Sequence, residues 1–405
     1  MSKKDRKSVF DQEIIKILYN TTLKYNLKTK RSGSPWGKRL LKQMRQRESK
    51  YVWLINWIKE KIKTGELRPG EKLYSENELS EMFGLSRQTV RHAIGILETE
   101  GLVERVRGSG TYIGGRRGKV RRKTMNIAVI STYVDGYIFP STLQGIVQTL
   151  SKAGYTTQIA FTNNRVNDER KILEGILEKD HIDGVIVEAT KSALPNPNLK
   201  YYKELQRRQI ALLFFNCKYP ELDAPIVALD DVKIAEDATN YLLSRGHRKI
   251  GGIFKTDDGQ GRLRYAGYVN ALLEKGLGVD DRKILWIDTE DQKALRKISN
   301  SVLRRMTDCT AVFCYNDEVA FGLVEILGRE GFRVPGQLSI ISIDGSELAL
   351  LSEPHITSIP YPMEELGEKA AENMLRLIED PDFDGTWLYR PAILERDSVR
   401  KIESR

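Results

Sequence analysis

Residues that bind metals or form disulfides are scarce in this sequence, which has only three cysteines and four histidines among 405 residues. Cys217, Cys309 and Cys314 have the spacing of neither a metal-ligand motif nor a disulfide framework, so we expect no metal, and reduced thiols in a cytoplasmic protein. No apolar run reaches membrane-spanning length. The charged amino terminus also lacks the apolar core of a signal peptide, so we expect no membrane partner.

Enzyme motifs are also missing. The sequence contains no P-loop, no GxSxG elbow and no HExxH pair. Its adjacent carboxylates, Asp230–Asp231 and Asp257–Asp258, are weak evidence for glycosidase chemistry, which needs two facing carboxylates. We therefore expect no catalytic residue and no cofactor. Two functional classes, a sugar-processing enzyme and a structural nucleoid protein, both stay open at this point.

Positive charge is concentrated at the amino-terminal end. Residues 1–43 carry 12 Lys/Arg and 3 Asp/Glu, and residues 44–123 carry 18 and 10, whereas residues 124–405 carry 35 and 42. This asymmetry favours an anionic polymer bound at one end of the chain only. Residues 1–43 show weak periodicity, and we interpret this basic extension as disordered or as a start codon assigned upstream of Met44.

A helical pattern begins near Glu48, with apolar residues at Tyr51, Leu54, Ile55, Ile58 and Ile62. Gly65 and Pro69-Gly70 are expected to end that helix.

A second, shorter helix is predicted after a capping box formed by Ser75 and Glu78. Leu79, Met82 and Phe83 are its expected buried side, and Gly84 is its expected C-terminal residue.

A third helix and a β-hairpin complete the pattern. Ser86 is the expected cap of the third helix, whose apolar stripe is Val90, Ala93, Ile94 and Leu97. Residues 102–113 then read as two short strands around a glycine turn. Residues 44–113 are thus predicted to form a winged helix-turn-helix.

The third helix carries its charged side chains opposite its apolar stripe. Arg87, Gln88 and Arg91 lie on that exposed side, and such a helix fits the DNA major groove, where arginine can pair with guanine. A solvated charged surface is the alternative explanation. The preceding capped helix and the basic hairpin favour DNA.

Residues 65–113 closely resemble the winged helix of the GntR family of bacterial regulators. The resemblance implies dimeric binding to palindromic double-stranded operator DNA, with base contacts from Glu76, Arg87 and Arg91. The wing position that touches DNA in relatives is Arg107 here. The full set of expected DNA-binding residues is Glu76, Ser86, Arg87, Gln88, Thr89, Arg91, Arg105, Arg107, Gly108 and Gly110.

After a basic linker at 114–125, the pattern changes to strands that alternate with helices. Apolar strands are predicted at 127–130, 156–161, 184–187, 211–215, 249–254, 284–287, 311–314 and 339–343. Continuous apolar strands of this kind favour parallel sheets covered on both faces. We expect an α/β fold over residues 126–400, arranged as two similar lobes with a cleft between them.

This second region resembles the LacI/GalR regulators and the periplasmic sugar-binding proteins. The motifs that carry the likeness include Ser244-Arg-Gly-His247, Cys314–Ala320 and Ser342-Ile-Asp344. The resemblance implies an effector-binding and dimerisation domain. Polar side chains at strand ends are the expected sugar contacts: Tyr133, Asp135, Tyr137, Glu188, Lys191, Asn216, Lys255, Asp258, Arg264, Asn316 and Asp344.

The combination of the two regions resembles the arabinose repressors of Gram-positive bacteria, through stretches such as residues 132–140, 187–193 and 252–261. The likeness implies a homodimeric repressor released from its operator by a sugar, L-arabinose, with another pentose, a hexose or a sugar derivative as the alternative.

Several of these polar residues have structural alternatives. Asp230 and Asp231 can cap a helix near Val232, and either Asn316 or Asp317 can cap another. Tyr137 and Phe139 can simply pack against the first helix of the α/β region, and His247 is expected to be structural.

Overall fold

The computed structural model describes residues 50–68, 70–106, 109–113, 123–134 and 137–402. The chain divides into two compact units, Met1–Val120 and Arg121–Arg405. The expected extension at 1–43 and the linker residues 114–122 lie outside the described residues, as do three expected contacts: Arg107, Gly108 and Asp135.

The first unit has three helices followed by a hairpin. They are α1 (Lys50–Lys63), α2 (Glu76–Phe83), α3 (Arg87–Thr99), β1 (Val103–Val106) and β2 (Gly110–Ile113). The two strands pair antiparallel. Apolar residues from all five elements form one core, which includes Leu54, Leu79 and Ile94.

The helix ends of this unit follow the capping signals of the sequence. Ser75 and Glu78 form the expected capping box at α2, Gly84 ends that helix with a φ of 60°, and the Ser86 hydroxyl accepts a hydrogen bond from the Thr89 backbone N–H. The expectation for Met82 is wrong, because its side chain is 52% exposed. On so short a helix, Leu79 and Phe83 alone reach the core.

The second unit contains two parallel sheets, each at the centre of one lobe. The amino-terminal lobe has a six-stranded sheet in the order β13-β7-β6-β5-β3-β4. Its elements are β3 (Asn126–Ser131), α4 (Phe139–Lys152), β4 (Thr156–Phe161), α5 (Val166–Lys179), β5 (Gly184–Val187), α6 (Leu199–Arg207), β6 (Ala211–Phe215), β7 (Ile226–Leu229), α13 (Met363–Glu379) and β13 (Trp387–Tyr389).

The carboxy-terminal lobe has a five-stranded sheet in the order β12-β11-β10-β8-β9. Its helices are α7 (Asp231–Ser244), α8 (Gly259–Glu274), α9 (Thr289–Lys293), α10 (Ser299–Met306), α11 (Asp317–Arg329) and α12 (Glu347–Leu351). Its strands are β8 (Ile250–Lys255), β9 (Ile284–Ile287), β10 (Ala311–Cys314), β11 (Ser339–Asp344) and β12 (Thr357–Pro360). The 3-10 helices Asp281–Lys283 and Leu295–Ile298 flank β9 and α9.

The chain passes between the lobes three times, after β7, after β12 and after β13. The carboxyl ends of parallel strands from both lobes therefore supply the polar residues of one cleft. The two-lobed α/β prediction is confirmed, with one correction. Strand β4 was expected to be buried, but it is the edge of its sheet, and its Ile159 is 42% exposed.

The start of the second unit is fixed by Asp183. Its carboxylate accepts hydrogen bonds from the backbone N–H groups of Thr124 and Met125, at 2.9 Å each. The last residues of the expected linker are therefore bound to the α/β unit. None of the helices in the described part of the chain is long and apolar enough to cross a membrane.

Candidate functional site

Helix α3 presents polar side chains to solvent. Arg87 and Gln88 are exposed, and no hydrogen-bond partner for either side chain occurs among the described residues. The opposite side of the helix is buried through Val90, Ala93, Ile94 and Leu97. The first turn of α3 therefore presents two long polar side chains to solvent.

Arg91 is held in place by Glu76. Its Nη2 donates a hydrogen bond to Glu76 Oε2 at 2.8 Å, and its Nε donates to Oε1 at 3.2 Å, while the Arg91 side chain stays 64% exposed. The hydrogen bond from Arg91 lowers the pKa of Glu76 below its usual value. The paired side chains orient the arginine on the exposed surface of the helix.

The hairpin contributes Arg105, which folds onto α3. Its Nη2 donates to the Arg91 carbonyl oxygen at 3.1 Å, and its Nη1 lies 3.6 Å from Glu98 Oε2. Gly110 has a φ of 129°, and an added Cβ would meet the Lys72 side chain, so this turn requires glycine.

The second unit has a buried carboxylate at the end of β5. Glu188 accepts hydrogen bonds from the Thr132 backbone N–H at 2.8 Å, from Ser131 Oγ at 3.2 Å and from Asn216 Nδ2 at 2.7 Å. Burial raises the pKa of Glu188 above its usual value despite these bonds. Tyr361, in the connection after β12, donates to Asn216 Oδ1 and so joins this network.

The carboxy-terminal lobe contributes a buried arginine. Arg264 Nε donates to Asp231 Oδ1 at 2.7 Å, its Nη1 donates to the Tyr315 carbonyl, and its Nη2 lies 3.9 Å from Asp344 Oδ1. All three charged groups are almost completely buried. The guanidinium thus links α7 to the ends of β10 and β11.

A second buried cation lies at the end of β8. Lys255 Nζ donates to Asp258 Oδ2 at 2.7 Å, and the same oxygen is 3.3 Å from the Tyr315 hydroxyl. One Asp258 oxygen is therefore shared by two donors. No group of three or more His, Cys, Asp or Glu side chains that could hold a metal ion occurs in the part of the chain that the structure describes.

Several side-chain contacts join the two lobes. Tyr137 donates to Asp344, Tyr361 donates to Asn216, and Lys191 Nζ lies 2.8 Å from Asp257 Oδ2. Sequence-predicted residues from both lobes are therefore brought into one polar cluster, which has the donors, acceptors and aromatic rings that sugar binding uses.

Comparisons with known proteins match both units of the chain. The chain matches a model of the gntR family of bacterial regulatory proteins at residues 51–113, and a model of the periplasmic binding protein-like domain at residues 239–399. The arabinose metabolism transcriptional repressor of Halalkalibacterium halodurans is 38% identical over 371 residues, covering 88% of this chain and 98% of that repressor. Its namesake in Geobacillus stearothermophilus is 36% identical over 359 residues, covering 87% and 98%.

The chain belongs to the family of these bacterial transcriptional repressors. Among solved structures, transcription regulator CcpA of Lactococcus lactis superposes with a TM-score of 0.61 at 25% identity, covering 69% of this chain and all of that chain. The repressor therefore combines a GntR-type DNA-binding region with a LacI-type effector fold.

Several polar residues of the repressor have structural roles. Asp230 caps α7 by accepting from the Lys233 backbone N–H at 3.2 Å, and Asn316 caps α11 by accepting from the Val319 N–H at 3.0 Å. The interpretation of Asp231 as a cap is wrong, because its carboxylate pairs with Arg264. Asp317 accepts from three serines instead of capping: Ser342, Ser346 and Ser358.

His247 of the repressor is buried, and its two ring nitrogens contact the Thr310 hydroxyl and the Arg400 carbonyl. This is the structural role expected of it. Tyr137 packs against the core as expected of a structural residue, but its hydroxyl also contacts Asp344.

Sequence reasoning missed several residues of the cluster, among them Asn164, Asp257, Thr289 and Tyr361. Asp257 was considered only as half of an adjacent acidic pair, although the motif around it resembled the arabinose repressors. The other three carry no signal in the sequence, because their partners are far along the chain. Tyr361 and Asn216, for example, are 145 residues apart.

Proposed function

We propose that this repressor binds operator DNA as a homodimer in the cytoplasm and releases it when L-arabinose binds between the two lobes. The polar cluster shared by both lobes is the observation that carries the proposal. A ligand that contacts both lobes stabilises their closed arrangement and so changes the geometry of the dimer.

The proposed base contacts are Arg87, Gln88, Arg91 and Glu76, all on α2 and α3. Arg87, Gln88 and Arg91 are exposed, and the partly buried Glu76 orients Arg91; these positions near the start of the helices support the role, since major-groove recognition uses them. Ser86, Thr89, Arg105 and the hairpin glycine Gly110 are proposed to position the unit on the phosphate backbone.

The proposed sugar contacts are Tyr133, Tyr137, Glu188, Lys191, Asn216, Lys255, Asp258, Arg264, Asn316 and Asp344. Glu188, Asn216, Lys255, Arg264, Asn316 and Asp344 are buried, which supports this role, because hydroxyl recognition is strongest where water is excluded. The relatives that are 36% to 38% identical are named for arabinose metabolism, and this name supports arabinose over other sugars.

Homodimerisation is proposed through the second unit. Helix α12 exposes two neighbouring leucines, Leu350 and Leu351, and the second is 71% exposed. Exposed apolar side chains of this kind favour an interface between copies of the chain.

Coupling between sugar binding and DNA binding requires only that the sugar bind the closed and open forms with different affinities. A sugar that binds the closed form better than the open form lowers operator affinity if the closed dimer no longer fits the half-site spacing. Coupling free energies of about 1–3 kcal/mol are typical, which corresponds to roughly 5- to 150-fold. We propose no catalysis, because the relatives that are 36% to 38% identical are named as transcriptional repressors.

Titration calorimetry of the full chain tests the effector. We expect L-arabinose to bind and D-xylose, D-ribose, D-galactose and phosphorylated sugars to bind more weakly. Replacing Asp344 with asparagine should weaken binding, whereas Asp237→Asn, which removes an exposed carboxylate on α7, should not. Tight binding of another sugar in place of L-arabinose would identify that sugar as the effector and contradict the proposal. Recovery of a converted sugar would instead indicate an enzyme.

A further inference from the structure

The lobes are joined by a ring of hydrogen bonds that includes Asp257. Lys191 Nζ donates to Asp257 Oδ2 at 2.8 Å, and Thr289 Oγ1 donates to the same oxygen at 2.7 Å. Asn164 Nδ2 donates to Thr289 Oγ1 at 2.9 Å, while the Lys191 backbone N–H donates to Asn164 Oδ1 at 2.8 Å. Lys191 and Asn164 belong to the amino-terminal lobe, and Asp257 and Thr289 belong to the other.

A second contact reinforces the ring. Ser192 Oγ accepts a hydrogen bond from the Gly259 backbone N–H at 2.8 Å, two residues beyond Asp257. The segments 191–193 and 257–259 therefore contact each other from opposite lobes.

The other Asp257 oxygen is the unusual feature. Asp257 is 2% exposed, yet its Oδ1 is buried without a hydrogen-bond partner in the part of the chain that is described. Buried carboxylate oxygens are almost always hydrogen-bonded. The pKa of Asp257 nonetheless lies below its usual value, because the hydrogen bond from Lys191 and the charge of Lys255 outweigh the effect of burial. Oδ1 is thus an ionised acceptor with no donor.

The Tyr133 hydroxyl is also buried near this ring of hydrogen bonds, and a hydrogen bond with the Thr289 side chain is among the influences on its pKa. Lys293 Nζ lies 5.3 Å from the centre of the Tyr133 ring. Lys293 is the last residue of the short helix α9, which begins at Thr289. Burial raises the pKa of Tyr133, and the charges of Asp258 and Asp257 add to the increase. The Tyr133 hydroxyl and the Asp257 carboxylate therefore lie within electrostatic range of each other.

We infer that Asp257 binds the sugar through Oδ1 and couples it to lobe closure through Oδ2. This inference rests on the proposed function and adds a specificity residue to it. A sugar hydroxyl donates to Oδ1, while Lys191 and Thr289 hold Oδ2. Because one carboxylate makes both sets of bonds, sugar binding and closure favour each other.

Calorimetry with L-arabinose and its 2-deoxy, 3-deoxy and 4-deoxy analogues tests the inference. Asp257→Asn should weaken L-arabinose binding by about 10- to 100-fold, as expected for a lost charged hydrogen bond. The analogue that lacks the hydroxyl bound by Asp257 should bind the native protein more weakly than L-arabinose does, by a similar factor. Asp257→Asn should bind this analogue and L-arabinose with equal affinity. Asp257→Glu, which keeps the charge but displaces the oxygens, should also lose affinity and serves if the asparagine variant fails to fold.

Lys191→Met separates the two roles of the carboxylate. It should weaken L-arabinose binding by about three- to tenfold, because closure loses one bond and the sugar loses a proposed contact, while the penalty for the deoxy analogue that lacks the hydroxyl bound by Asp257 Oδ1 is retained. Lys275→Met, which replaces an exposed lysine after α8, is the matched control and should bind as the native protein does.

The possible results distinguish this inference from the proposed function. Unchanged affinity in both Asp257 variants, or deoxy penalties that persist in Asp257→Asn, would overturn the role of Asp257 while leaving L-arabinose as effector. A native protein that does not bind L-arabinose at all would overturn the proposed effector and this inference with it.

Discussion

The Tyr137 hydroxyl donates a hydrogen bond to the Asp344 carboxylate, and this bond joins the amino-terminal lobe to the end of β11 in the other lobe. Asp344 has a φ of 111°, a backbone conformation that costs a residue with a side chain about 1–3 kcal/mol. Strain of this kind is retained where the surrounding structure requires it, here at a carboxylate shared by both lobes.

Asp344 predicts a pH dependence of stability. Burial raises its pKa from the ordinary 3.8 to about 7, with the charges of Asp317 and Asp231 adding to the increase, and Arg264 and Tyr137 opposing it. At a pH between these two pKa values, the Asp344 carboxyl keeps its proton in the folded protein but has released it in the unfolded chain. The contribution of Asp344 to the free energy of unfolding therefore falls as pH rises from about 4 to about 7, by at most about 1.4 kcal/mol per pH unit.

Urea unfolding of the native protein and of Asp344→Asn across this range measures the effect. Glu188, Asp231 and Asp317 also have raised pKa values, so the difference between the two proteins isolates Asp344. A difference that stays constant from pH 4 to pH 7 would show that Asp344 has an ordinary pKa.

Removing Arg264 should destabilise the second unit. Arg264→Met leaves the buried Asp231 without its cation, and breaking a buried ion pair from one side costs about 3–5 kcal/mol. The double variant Arg264→Met with Asp231→Asn should cost less than Arg264→Met alone, since the Asp231 charge that Arg264 neutralises is then absent. Urea unfolding measures both variants, and equal losses would rule out the pair as the cause.

Arg87 and Arg91 should determine the choice of operator. Arg87→Ala or Arg91→Ala should each cost about 1–3 kcal/mol of operator binding and relax sequence preference. Fluorescence anisotropy with a duplex selected from a random pool, and with an unselected duplex, measures both effects. Lys63→Ala removes an exposed charge from α1 and should leave the preference intact. Equal losses on both duplexes would make the arginines phosphate contacts.

Glu76 should limit binding to random DNA. Glu76→Gln removes a negative charge beside Arg91 and weakens the contact that orients the guanidinium. We expect higher affinity for the unselected duplex and a smaller ratio between selected and unselected duplexes. Glu81→Gln, at another exposed position of α2, is the control. A ratio that is unchanged in Glu76→Gln would exclude this role.

Leu351 should be part of the dimer interface. Leu351→Glu places two charges in a symmetric contact, and sedimentation equilibrium should show a shift towards monomer. Leu273→Glu changes another exposed leucine, 59% exposed at the end of α8, and should leave the association unchanged. An undisturbed dimer in Leu351→Glu would place the interface elsewhere.

Local signals in the sequence were sufficient for the first unit. The caps at Ser75 and Ser86 and the glycine at Gly84 specify where helices begin and end through short-range hydrogen bonds and backbone freedom. The burial of Met82 was predicted wrongly, because helical spacing alone does not show whether a neighbouring helix extends far enough to cover a side chain.

Eight of the eleven strands described in the second unit were predicted from the sequence, whereas β7, β12, β13 and the contacts between elements were not. The predicted apolar strands lie where the structure has strands. Strand β4 was nevertheless predicted to be buried, because the sequence of a strand does not show whether the strand has neighbours on both sides. The carboxylates of Asp257 and Asp258 look alike in sequence, although one joins the lobes and the other pairs with Lys255. Such differences arise from packing between distant segments.

The central claim is that sugar binding in the second unit controls DNA binding by the first. The most direct test is fluorescence anisotropy of the selected duplex, titrated with the native protein in the presence and absence of saturating L-arabinose at constant salt. We predict that L-arabinose weakens binding by about 5- to 150-fold, whereas D-glucose leaves it unchanged. Equal affinity with and without L-arabinose, under conditions in which calorimetry shows the sugar bound, would contradict the account.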